Sequence, residues 1–224
     1  MEFSSILRIL RNLQAGTEST PSGPYCPQPG AEPPWLTKAR KYVVTREDEN
    51  RRKANEKLPP SEGRMPTWED TSDGEDRILR WVAQVNPNAV DEFDPREDGW
   101  CAAFLGAMLD DCNLAHSDSL VATSYYYNNW AGRNCGAIHG AIVIYGPRNV
   151  APPPNLEGNN YITGGHAGFL VKDKEGAFKI LGGNQSGKVN IAPLTWYNNH
   201  RRIWGYRWPR ECPCPDEASV QNSP

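Results

Sequence analysis

No run of apolar residues approaches the roughly 18 that a membrane-spanning helix needs, and the mean hydropathy is -0.68, so no transmembrane helix is expected. Charge of one sign is also lacking. Lys and Arg number 24 against 27 Asp and Glu, which argues against a dedicated nucleic-acid binder. Cysteine is scarce for a fold scaffolded by disulfides, and the six present (26, 101, 112, 135, 212 and 214) form no repeated CxxC pair. Zinc is therefore a weak reading, and neither a metal nor a cofactor is expected. Between Met1 and Gly16, Arg8 and Arg11 interrupt Ile6, Leu7, Ile9 and Leu10. That breaks the continuous apolar stretch of a secretory signal, so no signal peptide is read.

What the chain has in quantity is turn formers and aromatic bulk. Its 224 residues include 20 Gly and 20 Pro, so much of the length is loop. Eight Trp, nine Tyr and five Phe still supply material for a core. The expected division is an amphipathic helix and Pro/Gly/Ser-rich linker over 1–32, one domain over 33–210, and a poorly ordered tail over 211–224. A polar excursion over 45–75 carries Pro59, Pro60 and Pro66 and is read as surface.

Helical spacing appears around Trp35–Val44 and at Ile78, Leu79, Val82 and Val85, with Asn86-Pro87 as a stop. The best-defined helix runs from Cys101 to Cys112, with Phe104, Leu105, Met108 and Leu109 on its stripe and Asp98-Gly99 as capping residues. A short helix is expected from Ser117-Asp118. From residue 139 the period changes to that of strands at 141–145, 167–171, 177–181, 189–191 and 203–208. Helices followed by short strands point to an α+β domain with an antiparallel sheet.

Three residues invite a chemical reading. Cys101 opens a helix, where first-turn N–H groups and the macrodipole favour a thiolate. The same position also reads as the start of a buried stripe, because free cysteine is among the most buried residue types. His166 heads a strand flanked by Gly165 and Gly168, placing His166, Gly168 and Leu170 on one face. It reads equally as a satisfied structural histidine. Asn184 follows a strand, as a turn residue or as a group that orients an imidazole.

Pro33-Pro34-Trp35, Trp100-Cys101, Gly165-His166-Ala167-Gly168-Phe169, Leu181-Gly182-Gly183-Asn184-Gln185 and Gly205-Tyr206-Arg207-Trp208-Pro209 occur in this order. In these motifs the chain resembles the CHAP and NlpC-type cysteine amidase/peptidase superfamily, most closely a small phage and bacterial subgroup. The resemblance implies a papain-like α+β fold, Cys101 as nucleophile, His166 as base and acid, and Asn184 as the group orienting His166. It implies peptidoglycan as substrate and action at the cell wall, as a phage lysin or a secreted antibacterial effector. Many members place a carboxylate where this chain has Asn184.

Trp100, Tyr125, Trp130, Gly165 and Gln185 are the expected groove residues, with core packing as the other reading for the aromatics. Val150–Thr163 either rims the groove or is an inert insertion. The acidic run from Asp91 to Asp98 lacks alternating oxygen spacing and reads as a solvated face, not a calcium loop. Cys26, Cys212 and Cys214 pair only if the protein matures in an oxidising compartment, and Cys112 and Cys135 read as core thiols. Residues 1–30 offer a handle for a phage tail or delivery component, with stable membrane insertion not expected. A non-catalytic virion or wall-binding protein and a papain-like protein-modifying toxin are the alternatives.

Overall fold

The computed structural model describes residues 23–54, 65–127, 130, 132–154, 161–197 and 199–215. Among these, helices α1 (Pro34–Arg40), α2 (Arg46–Lys53), α3 (Ser72–Val85) and α4 (Cys101–Asp110) precede six strands. The strands are β1 (Gly132–Asn134), β2 (Ile142–Pro147), β3 (His166–Lys172), β4 (Phe178–Gly182), β5 (Asn190–Pro193) and β6 (Arg201–Pro209). They form one sheet in the order β1-β6-β2-β3-β4-β5, antiparallel at every pairing. The α+β class with an antiparallel sheet is therefore the observed one. The amphipathic helix expected near the N-terminus lies outside the described residues.

Helix α4 forms because its sequence holds no proline or β-branched residue, and Cys101 to Leu109 are all buried. It packs on β3 and against α3, whose Ile78, Trp81, Val82 and Val85 make one apolar stripe. The helices approach closely at Gly106, where a Cβ would lie 2.6 Å from Val85 Cγ2. Trp100, not Asp98 or Gly99, occupies the N-cap of α4, and no side chain caps the helix. The helix expected from Ser117 is instead a short 3-10 turn over Ala122–Tyr126. Strand β1 was not expected. Its three residues pair with β6 through the backbone, and Gly-Arg-Asn carries no alternating apolar pattern.

Two motifs far apart in sequence meet at the β6 side of the sheet. Trp35 and Trp208 pack edge to face at 5.0 Å between centroids, and Trp35 Nε1 donates to the Gly140 carbonyl. The adjoining tail departs from expectation as far as residue 215. Cys212 and Cys214 are buried and bonded to Cys26 and Cys135, respectively. Cys135 is thus half of a disulfide and not a core thiol. Cys112 is free and buried.

The excursion over 45–75 also holds more structure than its polarity suggests. A capping box between Thr45 and Asp48 starts α2, with Glu47, Asp48 and Glu49 in the first turn and three basic residues in the last. Thr67 and Trp68 are buried, and Trp68 bridges to Lys188. Val189 N donates to Thr67 O, Glu69 N donates to Gly187 O, and Lys188 pairs with Glu49. This segment therefore clasps the loop that follows β4.

Candidate active site

Cys101 stands at the first position of α4, 7% exposed, and lines a cleft of about 440 Å³. Gly99, Asp98, Phe93, Val121 and Gly165 contribute to its walls. With no side-chain cap on α4, the early N–H groups have no intrahelical partner and face the start of the helix. Burial pushes the thiol above its usual range. Contacts with the backbone N–H groups of Ala167, Ala102 and Cys101 itself, and the charge of Arg201, act the other way.

The ladder explains how the thiol reaches Ala167. Leu170 exchanges both of its backbone bonds with Gly140 and Ala141, on the β2 side. Alternation along the strand then turns the N–H of Ala167 toward β4. The β3–β4 pairing ends at Phe169–Leu181, so Ala167 lies beyond it and its N–H is open to Cys101. The nucleophile candidate thus enters the sheet where two strands part.

His166, one residue earlier, is 3% exposed. Its ring stacks on Tyr197 at 4.4 Å between centroids, with 28° between planes, and Tyr145 packs against Tyr197 at 5.3 Å. Burial, and then the charge of Arg201, push its pKa down to about 3, so the imidazole is neutral near pH 7. His166 Nε2 is buried and has no hydrogen-bond partner among the described residues. Arg201 lies across Tyr197 at 5.1 Å and donates through Nε to the carbonyl of Gly164, a cleft residue.

The loop after β4 meets both of these groups. A Cβ on Gly183 would lie 2.6 Å from Trp100 Cζ3 and 2.7 Å from Phe104 Cβ, so only glycine admits the start of α4 here. Asn184 adopts a left-handed φ of 52°, a conformation its short polar side chain tolerates. Its Nδ2 lies 3.7 Å from where a Cβ on Gly99 would sit, on the Cys101 side. Gln185 is buried. Its Nε2 donates to Gly182 O at 3.1 Å and to Asn190 O at 2.7 Å, and its Oε1 accepts from the Tyr197 hydroxyl at 3.4 Å.

The structure therefore brings Cys101, His166 and the Asn184 loop together at one end of β3. Of the expected groove residues, Gly165 lines the cleft, with a Cβ there meeting Tyr145 O at 2.6 Å. Trp100, Tyr125, Trp130 and Gln185 are buried behind the surface. Trp100 packs on Trp81 and donates to Glu69, while Trp130 packs on Tyr125 and donates to its carbonyl, so these aromatics build the core.

The end of the Val150–Thr163 segment does reach the cleft: Thr163 lines it, and the Ile162 carbonyl accepts from Thr123 Oγ1. Tyr197 and Arg201 were missed by sequence reasoning. Their only signal is an aromatic and a cation flanking a turn, which carries no information about what they pack on. Among the described residues no three His, Cys, Asp or Glu side chains converge as a metal site. Compared with known proteins, the chain matches no family model, no curated protein and no solved structure.

Proposed function

We propose that the protein is a cysteine-dependent hydrolase that cleaves an amide bond of peptidoglycan on a papain-like arrangement of helix and sheet. The observation that carries this reading is Cys101 lining a cleft, at an uncapped helix start, beside the backbone of the residue next to buried His166. The choice of peptidoglycan rests on the resemblance of the five motifs to cell-wall amidases and peptidases.

The electrostatics favour a neutral resting pair, since burial raises the thiol and lowers the imidazole. Proton transfer then accompanies attack. Cys101 Sγ bonds to the carbonyl carbon as its proton passes to His166, and the oxyanion accepts a hydrogen bond from the Cys101 N–H. The C–N bond breaks as His166 returns the proton to the leaving amine. Water, deprotonated by His166, hydrolyses the thioester and frees the thiol.

The two disulfides support maturation in an oxidising compartment.

The test compares wild type with Cys101→Ala on purified Gram-negative and Gram-positive sacculi, with released fragments identified by mass spectrometry. Fragments from wild type, reduced by about 10⁴-fold or more in the variant, are the expected result. Equal release by both proteins, or release by neither, overturns the proposal.

A further inference from the structure

The site contains a mismatch: the buried nitrogen that an orienting group would hold has no partner among the described residues, and the amide beside it is not that of Asn184. A Cβ on Gly182 would lie 3.2 Å from His166 Nε2 and 3.3 Å from both Cδ and Nε2 of Gln185. The imidazole edge and the Gln185 amide therefore border one small space, kept open because residue 182 has no side chain. The Asn184 amide nitrogen lies 3.7 Å from where a Cβ on Gly99 would sit, beside the start of α4.

We infer that Gln185 is the positioning residue for His166, and that Asn184 serves the Cys101 side as a hydrogen-bond donor to the developing oxyanion. This rests on the reading of Cys101 and His166 as nucleophile and base.

The surroundings suit Gln185 to this role. Two carbonyls, of Gly182 and Asn190, hold its amide nitrogen, and Asn190 Nδ2 returns a bond to the Gln185 carbonyl at 3.2 Å. The side chain is thus fixed in the core before any ligand arrives. Tyr197 joins the two residues, because its ring stacks on His166 while its hydroxyl donates to Gln185 Oε1. A rotation of the imidazole that carried Nε2–H to that same oxygen would use its second lone pair. With Nε2 committed there, Nδ1 is the nitrogen left to take the thiol proton. Asn184 itself lies in the left-handed region, and it and Gln185 border different neighbours, Gly99 and Gly182.

Histidine NMR on the full-length protein labelled with ¹⁵N-histidine reads this directly, without a substrate. In wild type the Nε2–H tautomer of His166 is expected, with a nuclear Overhauser contact to the side-chain amide of Gln185. Placing a carboxylate there by Gln185→Glu stabilises the imidazolium, raising the pH at which His166 takes a second proton by about 1–3 pH units. Asn184→Asp, the same charge change on the other side, is expected to move it less. In turnover, Asn184→Ala lowers kcat by on the order of a hundredfold while leaving the His166 tautomer unchanged.

A contact from Nε2–H to Asn184, or a larger response to Asn184→Asp than to Gln185→Glu, overturns the inference. The wild-type contact decides the matter if Gln185→Glu does not fold. Failure of the hydrolase reading shows separately, as sacculus digestion that is absent or does not depend on Cys101.

Discussion

The sheet is used differently at its centre and at its β1–β6 edge. At the centre, the β3–β4 ladder stops at Phe169–Leu181, and glycines at 182 and 183 leave room for an imidazole edge and a helix start. At the edge, β1 and β6 pair over their full overlap, Trp208 locks against Trp35, and two disulfides close over the end. One region leaves backbone groups outside the ladder, while the other ties distant parts of the chain together. At the centre the Ala167 N–H faces the Cys101 thiol, and the 65–69 segment clasps the loop behind it.

The two regions are expected to separate stability from activity. Breaking the edge has the largest effect on folding. The disulfides span 186 and 79 residues of sequence, so Cys212→Ser with Cys214→Ser is expected to cost about 2–5 kcal/mol for each bond lost. Urea unfolding measures this. At temperatures where the variant remains folded, its kcat should match that of wild type, and a lost kcat in a folded variant would join the two regions functionally.

Gly183→Ala sharpens the other half of the comparison. Its Cβ drives into Trp100 and Phe104. The expected cost is about 1–3 kcal/mol, together with a fall in kcat as the start of α4 shifts. An unchanged kcat would show that Cys101 does not depend on this close approach.

The smallest effect is one of pH. His166 takes up a proton at about 3 when folded, against an ordinary value of 6.5. Between those values the unfolded chain holds more protons than the folded one, so stability falls as pH falls. From pH 6.5 to 5.5 the loss is about 1 kcal/mol. Urea midpoints across that interval measure it, and His166→Gln should flatten the slope. An equal slope in the variant would assign the titration to another group.

Much of the fold was legible because it follows local rules. Cys101–Asp110 begins at the expected residue, and five of the six strands lie within a few residues of their apolar runs. The misses share a cause. Strand β1 is held by backbone pairing to a partner about 75 residues later, and α2 is polar almost all round, its one buried residue being Asp48. The cysteine partners could not be paired from spacing, since only the folded chain brings residues 135 and 214 together.

The candidate site divides in the same way. Sequence by itself determined which residues are chemically able: a cysteine at a helix start, a histidine at a strand start, and amides after a strand. Those identities depend on composition and period, which are local. Tertiary structure alone decided that Trp100, Tyr125 and Trp130 are enclosed, that Tyr197 stacks on His166, and that Gln185 lies beside the imidazole while Asn184 turns toward α4. Adjacent residues of nearly the same chemistry are told apart by what packs on either side of the loop that follows β4.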